Sequence, residues 1–145
     1  METIEVKLLH LPLKAKWYDM QESGEKPEEY REITPYWVQR LMREYVPDAW
    51  GGYDDQRIHF MDKNMVFDNE DIRRLKESVA DKDRFFVPYT HVLLRYGYTQ
   101  RCIVRRIDSI SIGRGNPEWG APTDRDVFII RHKEDVVVDG WRIEQ

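Results

Sequence analysis

Four β-rich runs crowd the second half of the chain, and they limit its fold more than any other feature. "THVLLRYGY", "QRCIVRRIDSISI", "DVFIIRH" and "DVVVDGWRI" follow one another after Phe85. Each is rich in β-branched and aromatic residues, the composition of a strand. "YGY" supplies a turn between the first two, and "GRGNPEWGAPTD" a long turn-rich loop between the second and third. The "DG" near the end suggests a tight turn or bulge. Strands with bare edges recruit other chains, so a small closed or nearly closed barrel is the expected arrangement.

The first half mixes elements. "IEVKLLHL" reads as a first strand closed by Pro12, and "KAKWYDMQES" as a short helix with Gly24 at its C-terminal cap. Extended chain follows to about Ile33. Thr34 and Pro35 then start a helix over "YWVQRLMREY", with Trp37, Leu41 and Tyr45 on one side, stopped by Val46-Pro47. "RIHFM" is a candidate strand. Asp68 or Asn69 caps a further helix with an apolar stripe of Ile72, Leu75 and Val79. The whole is expected to be α+β, with about five or six strands and peripheral helices. Its 145 residues suit one domain spanning residues 1–145.

Charge narrows the partners. The formal net charge of −4 argues against a strongly basic nucleic-acid coat protein. Yet from Arg84 to Arg114 six arginines face a single acid, Asp108, so a locally positive surface fits a nucleotide or RNA ligand. Cys102 is the one cysteine, which excludes an internal disulfide and suits a reducing compartment. His10, His59, His91 and His132 are dispersed without metal-ligand spacing, so neither metal nor other cofactor is expected. No run approaches the roughly 20 apolar residues that cross a bilayer, and a cytoplasmic setting without membrane partners is expected.

"SGEKPEEYREITPYW" holds the chemistry. Glu29 and Arg31 lie two apart and face the same way on a strand. Lys26 has the opposite parity and joins them only through a bend at Pro27. Arginine holds phosphate or carboxylate through two bonds, and glutamate accepts from a base amine or moves a proton. Lysine binds an anion or, with its pKa lowered by burial, acts as base or nucleophile. The plainer alternative is a same-face ion pair with Lys26 in solvent. Tyr30 and Trp37 either line a cleft or pack on the first helix. Trp119 is either a stacking platform or a plug for the barrel end.

Gly24, Lys26, Glu29 and Arg31 form a G-x-K-x-x-E-x-R pattern that resembles the signature of ASCH domains. "LPLKAKWYDM", "EYREITPYWVQRL", "RYGY" and "IGRGNPEWGA" resemble further segments of small bacterial and phage members. The likeness covers residues 6 to 46 and about 90 to 132. The part from about Gly51 to Pro88 resembles an enlargement of the usual connection. The resemblance implies a PUA-like small β-barrel with a cleft beside the first helix, binding RNA or a nucleotide. Lys26, Glu29 and Arg31 map onto the motif, with Tyr30 or Trp119 as stacking walls. A small bacterial member similar to this chain is an amidohydrolase on N4-acetylcytidine. That member has threonine where Glu29 stands here. The alternative functions are therefore hydrolysis of a modified cytidine, with Lys26 and Glu29 catalytic, and a protein-binding adaptor working through residues 51–88.

Overall fold

A computed structural model of the chain describes residues 6–136. Along the chain run β1 (Leu8–Leu13), α1 (Ala15–Glu22), β2 (Glu28–Arg31), α2 (Pro35–Leu41), β3 (Met42–Pro47) and β4 (Tyr53–Arg57). There follow α3 (Asn69–Ala80), β5 (Arg84–Phe86), β6 (His91–Tyr96), β7 (Cys102–Gly113), a 3₁₀ turn (Pro117–Trp119) and β8 (Val127–Val136). The architecture is α+β, with a five-stranded mixed sheet ordered β1-β6-β7-β8-β2 and a three-stranded antiparallel sheet ordered β4-β3-β5.

Sequence pattern explains most of these elements. In β1 the residues Leu9, Leu11 and Leu13 alternate inward while His10 and Pro12 face out. β1 lies parallel to β6, whose residues His91 to Leu94 are all buried, as for a strand covered on both faces. α1 ends in backbone bonds from Gly24 N to Gln21 O and from Glu25 N to Met20 O. Gly24 there has φ 83°, a left-handed value that glycine adopts freely. Thr34 caps α2, accepting from Trp37 N, and Pro35 opens it. Asp68 and Asp71 cap α3 reciprocally.

Four expectations need correction, the first being the strand count, which is eight in two sheets among the described residues where about five or six were expected. The helix expected over "YWVQRLMREY" stops at Leu41. Met42 turns extended, at φ −129° and ψ 155°, and begins β3. Pairing with β4 on one side and β5 on the other satisfies the backbone of this segment in place of further helical turns. "RIHFM" is not a strand. β4 ends at Arg57, and Ile58 leaves the ladder to bury itself in the core. "DVFIIRH" and the start of "DVVVDGWRI" are one continuous strand, β8. The rest of that last run, residues 137–145, lies outside the described residues. Residues 51–88 are built of β4, α3 and β5.

The larger sheet is strongly curled. Its edge strands β1 and β2 stand four places apart, roughly 19 Å in a flat sheet. Yet Arg31 Nη2, on β2, donates to Pro12 O, on β1, at 2.9 Å. A single side chain spans that distance only if the two edges turn towards each other. No backbone ladder joins β1 to β2 among the described residues. The two sheets meet at Phe86 of β5 and Phe128 of β8, whose rings pack edge to face at 6.3 Å. Leu11, Val38, Leu41, Met42, Phe128 and Ile130 fill the core around them with no solvent exposure. Phe128→Ala should cost about 3–5 kcal/mol of stability, read from urea denaturation.

Candidate functional site

The bend at Pro27 decides the site. Pro27 O accepts from His132 N of β8 at 3.1 Å, which pins the chain where it enters β2. Lys26 is thereby turned inward, 2% exposed, with Nζ 2.8 Å from Glu29 Oε1. The same carboxylate oxygen accepts from Gln21 Nε2 of α1 at 2.8 Å. Glu29 Oε2 lies 3.6 Å from Arg31 Nη1. Arg31 is itself fixed by donating to Tyr30 O at 2.7 Å and to Pro12 O. Ammonium, carboxylate and guanidinium converge, as the bend at Pro27 requires. The solvated alternative, with Lys26 in water, does not describe this site.

Aromatic rings enclose the charges. Lys26 Nζ lies 4.6 Å from the Trp17 ring centroid and 5.9 Å from that of Tyr30. The Arg31 guanidinium lies 5.3 Å from the Trp37 ring. Tyr30 is locked by donating to Glu28 Oε1 at 2.8 Å and accepting from Asn116 N at 3.0 Å. Beneath Tyr30 passes Gly115, where an added Cβ would meet the ring at 2.7 Å, so only glycine lets the loop run so close. Gly120 makes the same kind of room for Trp17, at 2.9 Å, with φ 100°.

These groups border an open recess of ≈ 620 Å³ lined by Trp17, Glu29, Tyr30, Arg31, Tyr36 and Trp37 among others. Lys26 is not in the lining; it stands behind Glu29 and supports its charge. Trp119 is outside the lining as well, packed beside Tyr30, Ala121 and Val127. Burial lowers the Lys26 pKa, and the neighbouring Glu29 carboxylate resists that shift. Burial also lowers the Arg31 pKa, again opposed by Glu29. The arrangement presents one fixed acceptor, Glu29 Oε2, next to one fixed donor group, Arg31, between aromatic walls.

Sequence reading missed the layer beneath. Gln21, His132 and Arg105 are all buried there, and Arg105 donates to Gln21 O. Gln21 sits among charged helix residues and His132 in a strand, with no local pattern that marks either. Both ring nitrogens of His132 lack a hydrogen-bond partner among the described residues. Burial, with help from Arg105 and then Lys26, pushes the His132 pKa down to about 4. No group of three or more metal-ligating side chains occurs among the described residues. No helix among the described residues is long and apolar enough to cross a membrane. No family model matches the chain, and no curated protein or solved structure matches it either.

His132 gives a signed pH dependence. Its folded pKa of about 4 lies below the ordinary 6.5, so between those values the unfolded chain binds the proton first. Stability is therefore full above pH 6.5 and falls as pH drops towards 4, by up to about 3 kcal/mol from this group. Urea midpoints measured across that window should fall steeply for the native chain and less steeply for His132→Leu.

Proposed function

We propose that the recess is the ligand site of a nucleic-acid-related binding module, taking a nucleotide or one unstacked RNA base. The observation that carries this reading is the side-by-side pair Glu29 Oε2 and Arg31 Nη1, 3.6 Å apart at the recess wall. A base edge offers an amine donor next to a ring or carbonyl acceptor. Glu29 accepts from the amine and Arg31 donates to its neighbour. Trp17, Tyr30 and Trp37 supply apolar walls, and stacking on such a ring is worth about 1–3 kcal/mol per base. Lys26 and Gln21 hold Glu29 ready, so no side-chain ordering is left to the moment of binding. The ASCH-like motif residues are the ones that build this pair, which supports the same reading. It also takes the curled sheet as a PUA-like barrel with its cleft beside α1, in a cytoplasmic protein.

Cytidine and the other nucleosides, titrated while tryptophan fluorescence is followed, provide the test. Arg31→Ala and Glu29→Gln should each weaken binding about tenfold or more, since each removes a charge-assisted bond. Glu29→Gln keeps the side-chain volume, and circular dichroism checks that it folds. Absence of binding by the native chain, or binding indifferent to both changes, defeats the proposal.

A second reading rests on the Lys26–Glu29 contact of 2.8 Å together with the lowered Lys26 pKa. The pair could take a proton from water and deliver it to a departing amine, which is the work of an amidohydrolase on a modified cytidine. Acylated cytidines should then be turned over by the native chain and left intact by Lys26→Met. A flat time course for every acyl group tried removes this reading.

A further inference from the structure

Away from the recess, Arg40, Arg43 and Arg57 share a groove of ≈ 350 Å³ with Tyr36, Gln39 and Tyr89. No acid lines it. Arg43 and Arg57 stand directly opposite each other in the β3–β4 ladder, where like charges repel. None of the three arginines has an ion pair among the described residues, whereas Arg73, Arg84, Arg101, Arg114, Arg125 and Arg131 are all paired with carboxylates. Arg43 spends its bonds on the carbonyls of Gln39 and Met42. The Arg40 guanidinium rests on the Tyr36 ring, 4.3 Å from its centroid. Asp55 is the nearest acid on that face of the ladder, but it stands opposite Tyr45, outside the groove. Arg95 and Arg106 also stand without an ion pair among the described residues, but only Arg40, Arg43 and Arg57 are gathered in one acid-free groove, two of them opposite each other in a ladder, where an external anion would be held.

The groove and the recess are neighbours. Tyr36, at 54% exposure, lines both, and its ring packs edge to face against Trp37 at 5.0 Å. We propose that the Arg40–Arg43–Arg57 groove is a phosphodiester track, so that the natural ligand is a single-stranded polynucleotide rather than a free nucleoside. Its backbone lies along the three arginines while one base turns past Tyr36 into the recess. This inference rests on the nucleobase reading of the recess and adds a second, separate surface to it. Single strands suit such a surface, because their backbone bends into a groove and their bases are free to leave the stack.

The experiment compares two probes: a fluorescein-labelled single-stranded oligoribonucleotide of about eight residues, and cytidine 5′-monophosphate. The native chain should bind the oligonucleotide much more tightly than the mononucleotide, and its affinity should fall with salt. The double variant Arg43→Ala/Arg57→Ala should lose about tenfold or more on the oligonucleotide and flatten the salt slope by about 1.4. It should leave mononucleotide binding unchanged. Equal oligonucleotide binding by the native and double-variant chains overturns the track and leaves the recess reading standing. Failure of both probes on the native chain overturns both. Competition by polyglutamate as effective as that by unlabelled oligonucleotide overturns it in favour of an acidic peptide.

Discussion

A carboxylate removed from water organises this molecule. Glu29 is 2% exposed, and an isolated charge at that depth would be expelled or neutralised. Lys26 and Gln21 meet one of its oxygens, and Arg31 approaches the other. Each partner comes from a different local structure: the bend before β2, the last turn of α1, and the strand itself. Satisfying one carboxylate thus fixes the docking of α1, the path through Pro27 and the edge of the larger sheet together. A group costly to bury is kept where its exposed side meets an open recess. Stability alone does not account for that pattern, because apolar residues of like volume would hold the same elements more cheaply.

Arg31 does a second task on the other side of the strand edge. It bonds the carbonyl of Pro12 as well as approaching Glu29, and it lies beneath Trp37. The guanidinium suits this because its donors are fixed in a plane and its charge persists at every ordinary pH. Lysine would offer one mobile point charge and could not reach carbonyl, carboxylate and ring at once. Tyr30 plays a similar part with its hydroxyl, between Glu28 and the backbone of Asn116. The walls of the recess are therefore tied to the loop that follows β7, far away in sequence.

Much of this was legible in the residues, and the failures have physical causes. The Thr34-Pro35 start, the Asp68 cap, the alternation of β1 and the first two strands after Phe85 are local signals, and the fold obeys them, while the third run continues into the start of the fourth as β8. The convergence of Lys26, Glu29 and Arg31 followed from a glycine and a proline bracketing a short charged run. The end of α2 was not legible, because "MREYV" suits helix and strand alike and only pairing with β4 and β5 decides between them. The loop around Trp119 suggests a ring at the cleft, yet it is Trp17, on α1, that lines the recess. Gln21 and His132 become buried only once α1 and β8 are packed, so nothing in their own neighbourhoods announces them.

The seam between β1 and β2 has a mechanical meaning. Elsewhere in the larger sheet, neighbouring strands are laced by rows of backbone bonds, which part only together. At the seam the described link is one side-chain bond, Arg31 to Pro12, and it lies at the rim of the recess. A wall stitched at one point yields along the stitch before it yields anywhere else. The guanidinium at the rim of the recess is thus also the clasp of the sheet, so whatever displaces Arg31 from Pro12 also loosens the curl.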